Sequence, residues 1–132
     1  METLLTVIFG IIVFGASFCL LSMEYYARKS KVVAAPSVPW MRKAVIQRLG
    51  KEMAEKGLTN PLILELGSGW GTLAFAASKV CPGARIVGYE ISPVPLAYSR
   101  IKAKLCGYKN VKFLNADLFK EDFSQADIVL TY

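Results

Sequence analysis

Three acids in this chain stand where they can do chemistry, each in or just behind a short apolar run. Glu65 lies two places ahead of a glycine cluster in Glu65-Leu66-Gly67-Ser68-Gly69-Trp70-Gly71-Thr72. Glu90 follows 19 residues after Gly71, in VGYEIS, and Asp117 comes directly after VKFL, in Asn115-Ala116-Asp117-Leu118. Glycines between a strand and a helix open backbone torsions closed to other residues and let a ligand approach the main chain. A carboxylate at the tip of the next strand can accept hydrogen bonds from both hydroxyls of a ribose. The pattern points to a ligand built on a nucleoside. A Walker loop needs G-x-x-x-x-G-K-[ST], which is absent. A dinucleotide loop needs G-x-G-x-x-G, and here the third glycine comes one place early, with Thr72 at the sixth position, which disfavours NAD. With no histidine anywhere, Ser-His-Asp and Cys-His catalysis and His-ligated metals are excluded. Cys19, Cys81 and Cys106 are too scattered for a zinc pair or a disulfide framework, so we expect free thiols and no metal.

Acids at strand tips need a sheet to hold them. Leu62–Leu66 and Arg85–Glu90 read as strands, and Val111–Leu114 and Ala126–Thr131 as two further short ones. Helical stretches lie between them at Thr72–Val80 and from Pro93 to Leu105, the second opened by a Ser92 N-cap and closed by Gly107. Strands and helices alternating at these lengths predict an α/β fold with a Rossmann-like parallel sheet of about four strands. Ahead of it, Met41, Val45, Leu49 and Met53 recur every four residues and predict an amphipathic helix that ends near Gly57.

The N-terminus has another character. Residues 4–23, LLTVIFGIIVFGASFCLLSM, carry no charge and span roughly 30 Å as a helix, the thickness of a bilayer's hydrocarbon. Arg28, Lys29 and Lys31 follow, and residues 24–60 hold a net charge of +5 of the chain's +6. By the positive-inside rule the remainder faces the cytoplasm. We therefore expect a single-pass transmembrane helix within 1–23, in contact with membrane lipid through 4–23, a juxtamembrane connector over 24–37 whose prolines favour extended chain, and the α/β domain over 38–132. The basic excess sits beside the anchor without interleaved aromatics, which argues against nucleic acid as a partner.

The spacing of ELGSGWG resembles the first motif of class I S-adenosylmethionine-dependent methyltransferases, and Glu90, Asn115-Ala116-Asp117-Leu118 and Asp127–Tyr132 resemble the later motifs in the same order. The resemblance implies S-adenosylmethionine as cofactor, strand order 3-2-1-4, and a cofactor set of Glu65, Gly67, Ser68, Gly69, Gly71, Glu90, Ile91, Asp117 and Leu118. In it Glu65 meets the ammonium or orients the loop, Glu90 takes the ribose, Asp117 takes the adenine amine, and Ile91 and Leu118 flank the ring. A hydrophobic N-terminus, APSVPW, ELGSGWGTL and GYEISPVPLAYSR together look like small membrane-anchored methyltransferases related to the mitochondrial lysine methyltransferases. That implies an amine as acceptor, such as lysine in a membrane protein. Amino-group methyltransferases of other families carry Asn/Asp-Pro-Pro-Tyr where Thr131-Tyr132 stands, so no catalytic residue is assigned. The family's sheet has seven strands, so the substrate half is expected to lie beyond this chain. Two other readings stand beside this one: a noncatalytic membrane-tethered module that binds the cofactor, and an NAD-dependent oxidoreductase.

Overall fold

A computed structural model describes residues 1–30 and 37–131. The uncharged N-terminal run forms α1, Glu2–Ser30, a 29-residue helix long and apolar enough to cross a membrane. It runs seven residues past the apolar stretch, through an i,i+4 pair of Glu24 and Arg28, so the first part of the expected connector is helical. The extended stretch expected around Pro36 lies outside the described residues, as does Lys31.

Pro39 opens α2, Pro39–Glu55, with a ring whose missing N–H costs nothing at a first helical position. Its buried stripe is Val45, Ile46, Leu49 and Met53. Met41, expected in that stripe, falls outside it and Ile46 takes its place. Positions four apart turn 40° past a full helical revolution each step, so a run of them drifts off any one face.

The remaining elements alternate as β1 Leu62–Leu66, α3 Thr72–Val80, β2 Arg85–Glu90, α4 Pro93–Leu105, β3 Val111–Asn115, a 3-10 turn at Leu118–Lys120, and β4 Ile128–Thr131. All strand pairs are parallel, in the order β3-β2-β1-β4, which is the expected order. Strand β4 starts two residues later than the sequence suggests because Asp127 is used as a clamp: its carboxylate accepts from Leu62 N at 2.7 Å and its N–H donates to Leu62 O at 3.0 Å. Ile63 and Ile86 from the sheet, Leu73 and Phe75 from α3 and Leu96 from α4 make the core, with Phe113 of β3 between the helices and the sheet.

Two glycines press against that phenylalanine. A Cβ at Gly71 would lie 2.6 Å from Phe113 Cζ, and one at Gly88, opposite Phe113 in the β2–β3 register, would lie 2.8 Å from Phe113 Cδ1. Gly71 also holds φ at +73°, in the left-handed region. Gly71→Ala should therefore cost about 2–4 kcal/mol from strain and overpacking together, read as a lowered urea midpoint at unchanged slope.

Candidate functional site

Parallel strands end on one edge of the sheet, and the predicted site residues collect there. The glycine loop leaves the end of β1, Glu90 ends β2, and Asp117 follows the end of β3. The loop is held by its own backbone: Ser68 N donates to Tyr89 O, and Gly71 N to Ser68 O, both at 2.8 Å. Gly67, Gly69 and Gly71 all have positive φ, which lets so short a turn enter α3.

Glu90 is 6% exposed and takes a place that the sequence only half suggests. One carboxylate oxygen accepts from Gly69 N and the other from Ser92 N, each at 2.7 Å. It joins the tip of β2 to the glycine loop on one side and to the start of α4 on the other. Ser92 stands at the N-cap of α4 as expected, but its hydroxyl makes no cap bond. The residue contributes its backbone N–H to Glu90 instead.

Glu65 is 4% exposed, pointing under the loop, and its carboxyl accepts from Ala74 N in the first turn of α3 at 3.0 Å. Burial raises its pKa from an ordinary 4.5 to about 8; the Ala74 N–H opposes the rise and the neighbouring Glu90 adds to it. At neutral pH this acid is mostly protonated. Of the two roles expected for Glu65, the structure displays the orienting one, a tie from the central strand to the helix behind the loop.

Further out, Asn115 Nδ2 donates to Glu90 O and Ile91 O at 3.3 and 3.2 Å, and Ala116 N to Glu90 O at 3.4 Å. These bonds bring the start of the Asp117 segment against Glu90 and Ile91. Asp117 itself faces its own turn: Oδ1 accepts from Phe119 N at 3.2 Å and Oδ2 lies 3.7 Å from Lys120 Nζ. Ile91 and Leu118 are half-buried. Ser68 Oγ is buried without a hydrogen-bond partner, against the bare backbone of Gly88. Tyr132 lies outside the described residues. Among them, no cluster of acids and cysteines could hold a metal, and Cys19, Cys81 and Cys106 are free.

Sequence reasoning missed three supports. Ser37 pairs its hydroxyl with Thr72 Oγ1 at 2.8 Å and donates its N–H there at 3.3 Å, pinning the chain before α2 to the start of α3. Trp70 stacks edge-on against Tyr98 of α4 with centroids 5.3 Å apart, and Asn115 makes the bridge above. Ser37 and Trp70 fall at positions that a glycine motif leaves open, so only the fold reveals them.

The pKa of Glu65 carries a sign. A folded pKa near 8 against 4.5 means that the folded state keeps a proton the unfolded state releases. Stability should thus be highest below pH 4.5 on this account and fall as pH rises toward 8. Glu65→Gln, which keeps an acceptor for Ala74 N, should remove that fall, seen as a flatter difference between the two proteins' urea-unfolding free energies across the interval.

Comparison with known proteins agrees with this geometry. Residues 65–132, just over half of the chain, match the ANTKMT methyltransferase domain family. A mouse protein, the ATP synthase C-subunit lysine N-methyltransferase, is 35% identical over 101 residues, covering 76% of this chain and 38% of its own. A Streptomyces pristinaespiralis enzyme, 4-amino-L-phenylalanine/4-methylamino-L-phenylalanine methyltransferase, is 30% identical over 99 residues, covering 75% of this chain and 34% of its own. Among solved structures, an RNA methyltransferase from Salinibacter ruber in complex with S-adenosyl-L-homocysteine superposes with a TM-score of 0.56 at 33% identity, over 74% of this chain and 60% of its own. The chain spans about a third of the length of these curated relatives. The class I methyltransferase fold, the enzyme class and S-adenosylmethionine as cofactor, all expected from the motifs, agree with these relatives, and the oxidoreductase reading falls away. A four-stranded parallel sheet with its glycine loop and strand-tip acids on one edge, matched over residues 65–132, makes this chain a member of the ANTKMT methyltransferase domain family.

Proposed function

We propose that the protein is a membrane-anchored methyltransferase that transfers the methyl group of S-adenosylmethionine to an amine, such as a lysine side chain of a membrane protein. One observation carries the cofactor reading: the loop's N–H groups are already engaged. Gly69 N is held by Glu90, Gly71 N by Ser68 O, and Ser68 N by Tyr89 O. A pyrophosphate needs such donors free and repels a carboxylate beside it. A sulfonium nucleoside with an amino-acid tail has no phosphate to seat. Its ribose hydroxyls and ammonium are donors that suit acids, and the partnerless Ser68 Oγ offers it a further buried polar contact.

In this reading Gly67, Ser68, Gly69 and Gly71 line the amino-acid tail, while Glu65 sets the loop against α3 and can ionise toward the ammonium. Glu90, with two lone pairs on each oxygen, accepts from the ribose while keeping Gly69 and Ser92. Asp117 takes the exocyclic amine, and Ile91 and Leu118 pack against the adenine. Bound S-adenosylmethionine supplies a methyl carbon activated by the sulfonium. The chain's own contribution is to hold that carbon in line with the acceptor, since positioning is what displacement at such a centre requires. A lysine that arrives neutral needs no strong base.

Helix α1 supports the anchor: it is exposed along its apolar length and carries Arg28 and Lys29 in its last turn, on the side where the domain begins. The positive-inside rule then puts the domain on the cytoplasmic face. The mouse relative's name, with its lysine of the ATP synthase, supports a membrane-protein lysine as the acceptor class.

Calorimetric titration of the full-length protein containing these residues with S-adenosylhomocysteine should show one site, and no binding would defeat the reading. Glu90→Ala should weaken that binding by about 1–3 kcal/mol, and an unchanged affinity would remove Glu90 from the site. Incubation of membranes with the protein and methyl-labelled S-adenosylmethionine should place label on lysine. Cofactor binding without any transfer would favour the noncatalytic module.

A further inference from the structure

We propose that the cavity between α4 and the outer edge of β3 is a headgroup site for an anionic phospholipid. Strand β3 ends the sheet, and along its outer edge lies a cavity of about 330 Å³, lined by Arg100 and Lys104 of α4 and Lys112 of β3 together with Tyr108 and Leu114. That volume is within the roughly 300–1,000 Å³ of ordinary ligand clefts. Three cations and no acid line it. Arg100 is fixed at the wall by an Nε bond to Phe113 O at 2.9 Å, so its charge is held in place by the strand edge rather than left to wander in solvent. Such a site fits a phosphate group.

The surroundings select the source of that phosphate. Ile101 and Leu105 on α4, 59% and 80% exposed, and Leu114 on β3, 42% exposed, put apolar side chains beside the cations. Cations next to outward aliphatic groups are what the boundary between headgroups and acyl chains accepts. Helix α1 packs against α4, so the membrane-spanning candidate lies beside the helix that carries Arg100 and Lys104. The inference rests on the anchor reading only for this last placement. A single-stranded nucleic acid would want free aromatic faces, and the cavity's Tyr108 ring is committed to Phe75, 4.7 Å away.

The test uses the full-length protein in a neutral maltoside detergent, with the acetylation rate of each lysine read by mass spectrometry during titration with short-chain phosphatidylglycerol. Lys104 and Lys112 should become protected saturably, with Lys51 and Lys79 unchanged and short-chain phosphatidylcholine without effect. Lys104→Glu should weaken the protection of Lys112 about tenfold while leaving S-adenosylhomocysteine binding intact. Equal protection of all four lysines, or protection by phosphatidylcholine as strong as by phosphatidylglycerol, overturns the proposal. Protection by inorganic phosphate or an RNA oligonucleotide but not by phosphatidylglycerol also overturns it, in favour of that ligand. Because detergent replaces the bilayer, failure here leaves the anchor reading standing, and failure of α1 to insert in vesicles leaves this result standing.

Discussion

One carboxylate holds the site's geometry together. Glu90 closes two short bonds to backbone N–H groups that belong to different crossovers, Gly69 in the turn from β1 to α3 and Ser92 in the turn from β2 to α4. Each is a charge-assisted contact in a place nearly closed to water, where such bonds are stronger than neutral ones and costly to leave unmade. Because β1 and β2 pair in register through Leu66 and Tyr89, the carboxylate sits one residue beyond that pair and can reach both turns. The glycine loop then has its donors spent before any ligand arrives, which turns a nucleotide-binding architecture away from phosphate and toward donors.

The second buried acid works by a different balance. Glu65 has one backbone N–H and a like-charged neighbour, so the interior leaves it neutral over much of the physiological range. A neutral acid under the loop is a modest burden on the fold, whereas two ionised carboxylates side by side would strain it. The arrangement keeps the central strand polar beneath the loop without a fully developed pair of charges.

Much of this was legible in the residues. The four strands, their order, and the edge that gathers Glu65, Glu90 and Asp117 follow from apolar runs spaced by helical stretches, a signal that survives because parallel strands are buried on both faces. Boundaries were less so. α1 outruns its apolar segment because Glu24 and Arg28 support each other at helical spacing, and β4 starts late because Asp127 is taken by Leu62. The amphipathic stripe of α2 shifted to Ile46 through the mismatch between a four-residue spacing and the helical turn. What the residues could not disclose were backbone partners. Nothing in a lone glutamate says that it will bond to Gly69 and Ser92 as well as face a ligand, and nothing in Ser37 announces Thr72, 35 residues away.

The ring of Phe113 is a wall shared by two separate bare positions, Gly71 on the loop and Gly88 on β2. Space there is a common holding, and none of the three residues can enlarge by itself. Across the lineages that inherit this domain, these positions should drift as a trio: a homologue with a side chain at either glycine is expected to carry a smaller residue in place of the phenylalanine, and the trio offers a way to recognise distant members whose acids have changed.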